Sequence, residues 1–96
     1  MNTKDLYPIP FDNQVYFLSF EQVNELLKIS KYSGSDIKLF IKLNNNREVI
    51  GTVLDFKGHN PLSPADVYIP VVFRIKTSEK IEELTFLEVE SIEVEK

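Results

Sequence analysis

Cysteine is absent from this 96-residue chain, and histidine and methionine occur once each. Without thiols there is neither a disulfide framework nor a thiolate metal site, and nothing signals an oxidising compartment. A single histidine, His59, is too little for the usual transition-metal sites. As a catalytic base it lacks a recognisable nucleophile and orienting partner, and in Gly58-His59-Asn60 it reads as a surface loop residue. The three glycines stand apart, so no glycine-rich loop cradles a phosphate. No apolar run approaches the ~18 residues of a membrane span, and the N-terminal MNTKDLYPIP lacks the continuous apolar core of a signal peptide. The carboxylates gather in no stretch that suggests a desolvated pocket, which leaves glycosidase-type chemistry without support. These absences predict a cytoplasmic protein that is not an enzyme and carries no cofactor and no metal.

Basic charge is also scarce: eleven Lys and Arg stand against fifteen Asp and Glu, a net charge of −4. That balance argues against a general nucleic-acid coat. The distribution is uneven. Lys28 to Lys57 holds six basic and three acidic residues, and Glu79 to Lys96 holds seven acidic and two basic ones. The chain is long enough for one domain with one modest core, residues 1–96.

The organising stretch is Ile37 to Lys57. Ile37, Leu39, Ile41 and Leu43 alternate with Lys38, Phe40 and Lys42, the pattern of a half-buried strand. Asn44-Asn45-Asn46 supplies a turn, since Asn tolerates left-handed backbone. The second strand, Glu48 to Lys57, is apolar on both faces and contains Gly51, the mark of a bend or a close backbone approach. Upstream, residues 1–13 read as an irregular N-terminal arm, because Pro8 and Pro10 exclude helix and favour extended chain. Residues 14–31 read as a short strand and a helix. Ser19-x-x-Gln22 is a capping box, with Leu18 and Val23 spaced for a hydrophobic staple. Phe20, Val23, Leu26 and Leu27 form the apolar stripe, and Gly34 marks the stop. Downstream come a loop over 58–66, a strand Val67 to Lys76 with a bulge, edge or late start at Pro70, a strand Ile81 to Phe86, a tight turn Leu87 to Glu90, and a last strand Ser91 to Glu95. One helix and five short strands over residues 36–95 predict a mainly β domain: a five-stranded antiparallel SH3/Sm-like small barrel with an N-terminal α-helix.

The segment Asn46-Arg47-Glu48-Val49-Ile50-Gly51-Thr52-Val53-Leu54-Asp55-Phe56 resembles the first motif of Sm-like proteins. The order of helix and strands over about residues 19–95 is similar as well. Asn46 stands where that family usually has Gly, and Lys57 where it has Asp. The second motif, normally an Arg-Gly pair whose Arg contacts RNA bases, reads Leu87-Glu88-Val89-Glu90. Tyr7-Pro8-Ile9 with the acidic balance also resembles the small Rho-inhibiting antiterminator proteins, and Val89-Glu90-Ser91-Ile92 resembles the ending of YolD-like small barrels. Sm-like chains join fourth strand to fifth. With Glu93 and Glu95 on the short last strand, a monomer or homodimer is expected here rather than a ring.

Two surfaces are candidate sites. Lys38, Phe40 and Lys42, extended by Arg47 and Lys57, place a ring between cations, the arrangement that binds single-stranded RNA. The plainer reading is a solvated strand face whose Phe40 packs under the helix or the arm. Glu82, Glu83, Glu88, Glu90 and Glu93 offer an acidic surface for a basic protein partner, or else simply a solvated end. The expected function is a small non-catalytic regulatory module acting by contact with a protein partner, the alternative being an RNA-binding regulator of Sm-like type.

Overall fold

The computed structural model describes residues 6–59 and 68–95. The first described element is an antiparallel hairpin of β1 (Tyr7–Phe11) and β2 (Gln14–Leu18). Its two-residue turn, Asp12-Asn13, has φ of 52° and 64°; a turn with both φ positive matches the twist of paired strands. The irregular arm expected through residue 13 is therefore corrected over the described residues 6–13. Prolines exclude helix, but in a strand they fit wherever the missing N–H would point away from the neighbour.

The helix α1 (Phe20–Tyr32) starts where the capping box places it. Ser19 N–H donates to Gln22 Oε1 at 2.8 Å, and Gln22 N–H donates to Ser19 Oγ at 3.3 Å. Leu18 and Val23 are both buried, as a staple requires. The buried stripe is Val23, Leu26 and Ile29. Phe20 does not belong to it: at the very start of the helix nothing covers the ring, and it is 57% exposed. At the other end Gly34 has φ 78° and donates to the Val53 carbonyl at 2.9 Å, tying the helix exit to the sheet.

Five strands follow: β3 (Lys38–Leu43), β4 (Glu48–His59), β5 (Ile69–Lys76), β6 (Ile81–Thr85) and β7 (Val89–Val94), with a 3-10 turn at Phe86–Glu88. They form an antiparallel sheet ordered β6-β5-β4-β3-β7. The helix follows a hairpin rather than leading the fold, and the sheet is not a closed barrel, since β6 and β7 are its two edges. The sheet does curl. Arg47, just before β4, pairs with Glu82 on β6. Asn44 donates its backbone N–H to the Glu88 carbonyl at 2.9 Å and its side-chain amide to the Leu87 carbonyl at 2.7 Å. The 3-10 turn thus fills the place where direct β6–β7 pairing would close a barrel.

Alternation decides the core. Leu39, Ile41 and Leu43 face in and Lys38, Phe40 and Lys42 face out. Ile37 lies before the strand begins and is 40% exposed, so it leaves the expected inward set. Asn46 takes φ 66° in the β3–β4 turn, the left-handed conformation that Asn tolerates. At Gly51 the backbones of β4 and β5 come so close that a Cβ would overlap the Lys76 carbonyl, whose carbon would lie 2.8 Å away. β4 runs two residues further than expected, so Gly58 and His59 pair with Pro70 and Ile69 instead of opening a loop. The register shifts between Lys57, opposite Val72, and Gly58, opposite Pro70, which leaves Val71 as the extra residue of a bulge beside the proline. The rest of the expected loop, and Val67, lie outside the described residues. The last turn is one residue earlier than expected, and β7 begins at Val89.

Candidate functional site

The pleat of β3 puts Lys38, Phe40 and Lys42 side by side on the outer face, all exposed. Phe40 does not pack under the helix or the hairpin; it is 40% exposed, and its cross-strand neighbour on β4 is Ile50, 47% exposed. On the same face Lys38 stands opposite Thr52 and Lys42 opposite Glu48. Ile50 was not among the candidates, although β4 reads as apolar on both faces and one of those faces had to be outward.

The other neighbour of β3 is β7, the acidic strand. Glu93 is opposite Phe40 and Ser91 opposite Lys42. Lys42 Nζ lies 3.3 Å from Glu90 Oε2. The basic middle and the acidic end of the sequence are therefore interleaved on one face, not presented as two surfaces of opposite sign. Antiparallel pairing of strands about fifty residues apart in sequence does this, and no local pattern announces it.

The remaining candidates are dispersed. Arg47, with its own N–H held by Asn45 Oδ1 at 3.0 Å, pairs with Glu82 at the hairpin tip. Glu88 turns back on its own segment and accepts the Thr85 N–H at 2.8 Å. Lys57 lies at the far end of β4, on the stretch where Asp55 is paired with Arg74, which is in turn opposite Glu83. The Arg74 guanidinium hydrogen-bonds Asp55 and holds its carboxyl below the ordinary value, with Lys57 a smaller contributor; the same bond raises Arg74. This alternation of signs across three strands leaves no cationic track from Lys38 to Lys57.

A second feature adjoins the Phe40–Ile50 pair. Where β5 ends, a concavity of about 480 Å³ is lined by Lys38, Ile50, Gly51, Thr52, Lys76, Thr77 and Ser78. Thr52 stands between Lys38 and Lys76 in one cross-strand row. Neither lysine forms an ion pair among the described residues. Lys76 and Thr52 carried no signal in sequence, because their adjacency depends on the β4–β5 register. Among the described residues no group of three His, Asp or Glu could hold a metal ion, and no described helix is long and apolar enough to cross a membrane.

No family model, curated protein or solved structure matches this chain.

Proposed function

We propose that this chain is a small, non-catalytic binding module of the cytoplasm that regulates a protein partner by contact, and that its fold is a degenerate Sm-like variant of the SH3-type small barrel. The observation that carries the contact reading is the outer face of β3. An exposed apolar pair, Phe40 and Ile50, is ringed by charges of both signs: Lys38, Lys42, Glu48, Glu90 and Glu93. An apolar centre within a polar rim is the anatomy of a protein interface, whereas a nucleic-acid groove needs a rim of one sign. The Sm-like reading is supported by a helix followed by five strands with the last returning beside the first, and by the close backbone approach at Gly51. Where that family carries its RNA-contacting Arg, Glu88 is spent on capping the 3-10 turn.

The second reading, binding of single-stranded RNA, is favoured by the Lys38–Thr52–Lys76 row beside the exposed Phe40 ring. The cations then differ from the expected pair, since Lys42 already has Glu90.

The test is affinity capture from the native host with wild-type protein and with Phe40→Ser/Ile50→Ser, alongside binding of oligouridylate at low and high salt. The double variant is expected to lose its protein partner by about tenfold or more, each exposed anchor contributing ~1 kcal/mol or more. Undiminished capture sinks the protein reading. Affinity for oligouridylate that falls steeply with salt and is abolished by Lys38→Glu/Lys76→Glu establishes the RNA reading instead.

A further inference from the structure

The described chain has four free strand edges, β1, β2, β6 and β7, and three of them are blocked. On β1, Pro8 and Pro10 pair with Phe17 and Val15. The two-residue turn is closed by Phe11 and Gln14, which makes Phe11–Gln14, Ile9–Tyr16 and Tyr7–Leu18 the hydrogen-bonded pairs. The prolines therefore face the outer edge of β1 and leave it without donors at those positions. On β7, Ile92 N–H donates to Glu25 Oε2 at 2.8 Å and the Ile92 carbonyl accepts from Lys28 Nζ at 2.8 Å. An ion pair on α1 thus occupies the backbone of that edge as a neighbouring strand would. On β6, Glu82 and Glu83 sit at the middle of the strand, and charge on an edge opposes pairing.

The β2 edge has no such device. By the same parity, the N–H and C=O groups of Val15 and Phe17 point outward, and neither N–H has a hydrogen-bond partner among the described residues. Residues 14–18, Gln-Val-Tyr-Phe-Leu, carry no charge. Val15 and Phe17 are 56% and 62% exposed, and with the exposed Pro8 and Pro10 they make the outer face of the hairpin wholly apolar. The inner face is filled by the molecule's own core: the Tyr16 ring meets Phe86 edge-on at 5.6 Å.

We infer that two copies of this chain join through β2, antiparallel about a two-fold axis at Tyr16, in a four-stranded sheet ordered β1-β2-β2-β1. In this register Val15 and Phe17 of one copy exchange backbone hydrogen bonds with Phe17 and Val15 of the other, so the strand is self-complementary. Each new cross-strand pair joins a β-branched and an aromatic residue on the outer face, a favourable combination. The apolar rows become Pro10–Val15–Phe17–Pro8, continuous across the axis. Self-complementarity singles out a second copy of this strand as the occupant, and the uncharged edge permits the approach. Two chains of net charge −4 repel unless they meet where no carboxylate faces another, and here Asp12 falls opposite Phe20. The proline-bearing β1 edges end the sheet on both sides, so assembly stops at a dimer and does not run on into a fibre. The contact is smaller than a standard interface, so the dimer is a weak one. It uses a face distinct from Phe40 and Ile50, and it holds or fails independently of the partner reading.

Sedimentation equilibrium tests it. The mean mass of the wild type is expected to rise from 11.1 kDa toward twice that value as the concentration is raised to about 0.5 mM, a range suited to a small interface. Val15→Pro removes an outward donor without touching a β1–β2 hydrogen bond, and it is expected to stay monomeric throughout. Val15→Thr keeps the donor and should still dimerise. Amide exchange on the wild type needs no variant: the Val15 and Phe17 amides should gain protection at high concentration only. A wild type that remains monomeric at 0.5 mM overturns the inference. So does a dimer that forms without protecting those two amides, or one that survives Val15→Pro.

Discussion

In the β3–β4 hairpin the outward positions of the first strand are Lys38, Phe40 and Lys42, and a strand lies on either side of the pair. In the β1–β2 hairpin the outward positions are Pro8, Pro10, Val15 and Phe17, and no strand lies beside it. Both have buried inner faces, with Ile41 and Leu39 in one and Ile9 and Leu18 in the other. The difference is in how the outer face and the edges are treated. The central hairpin surrounds its outward Phe40 and Ile50 with charged side chains, Lys42 among them paired with Glu90, and has a strand on both flanks. Among the described residues, the N-terminal hairpin is held by side-chain packing, with no backbone ladder to the five-stranded sheet. Phe11 and Tyr16 both pack edge-on against Phe86, at 5.4 and 5.6 Å. One hairpin is integral to the sheet; the other is an attachment with an unsatisfied edge.

The strongest way to break this comparison is at Gly51. A side chain there meets the Lys76 carbonyl, which is backbone of a central strand and cannot swing aside. Gly51→Val is expected to separate β4 from β5 and abolish cooperative unfolding altogether, a loss above the ~4–5 kcal/mol that marks exceptional single substitutions. A urea midpoint close to wild type would show that the two strands can slide apart cheaply, and the central sheet would lose its claim to be the rigid part.

Next in size is Phe86. It is 4% exposed and is the ring against which Phe11 and Tyr16 of the first hairpin rest. Phe86→Ala is expected to cost about 3–5 kcal/mol. Amide exchange in β1 and β2 should rise before that of β3 and β4, because the attachment loses its anchor while the sheet keeps its ladders. Ile41→Ala, at about 2–5 kcal/mol, should instead raise exchange everywhere at once. Identical exchange patterns for the two variants would mean the hairpins form one cooperative unit.

The sequence discloses these regions unequally, for physical reasons. The alternation from Leu39 to Leu43 needs only one buried face to be legible. The capping box at Ser19 and Gln22, the turn at Asn46 and the close approach at Gly51 are likewise written in a few adjacent residues. Pro8 and Pro10 mislead because a proline argues against a strand until its parity with a partner is known, and parity belongs to the pair. The sheet's failure to close depends on the 3-10 turn standing between β6 and β7, which residue types alone do not place. For the candidate site, the outward Lys38, Phe40 and Lys42 follow from the pleat. The sign of their surroundings does not, because Glu90 and Glu93 arrive from a strand about fifty residues away. The uncharged β2 edge is visible in the letters QVYFL, but its openness is visible only once the other edges are seen to be blocked.

The smallest effect concerns charge, which the outer face of the sheet carries and that of the first hairpin lacks. The hydrogen bond from Arg74 holds the Asp55 carboxyl below its ordinary value, so its folded pKa is lower than its unfolded one, near 3.9. The unfolded state therefore binds more protons across that interval, and the pair's contribution rises with pH through it. It is fully present above the unfolded value and lost as pH falls through the folded one. Both side chains are about half exposed, so solvent and salt screen the interaction and the effect is small. Urea midpoints of wild type and Asp55→Asn are expected to differ slightly and constantly above about pH 5, to converge in stronger acid, and to converge also in high salt at neutral pH. Exchange in β4 and β5 should follow that change, while β1 and β2, with no charged side chain on their outer face, should not respond to it. A pH-independent difference would assign the effect of Asp55 to packing. An equal response in both hairpins would show that charge on the sheet stabilises the whole molecule and not only the region that bears it.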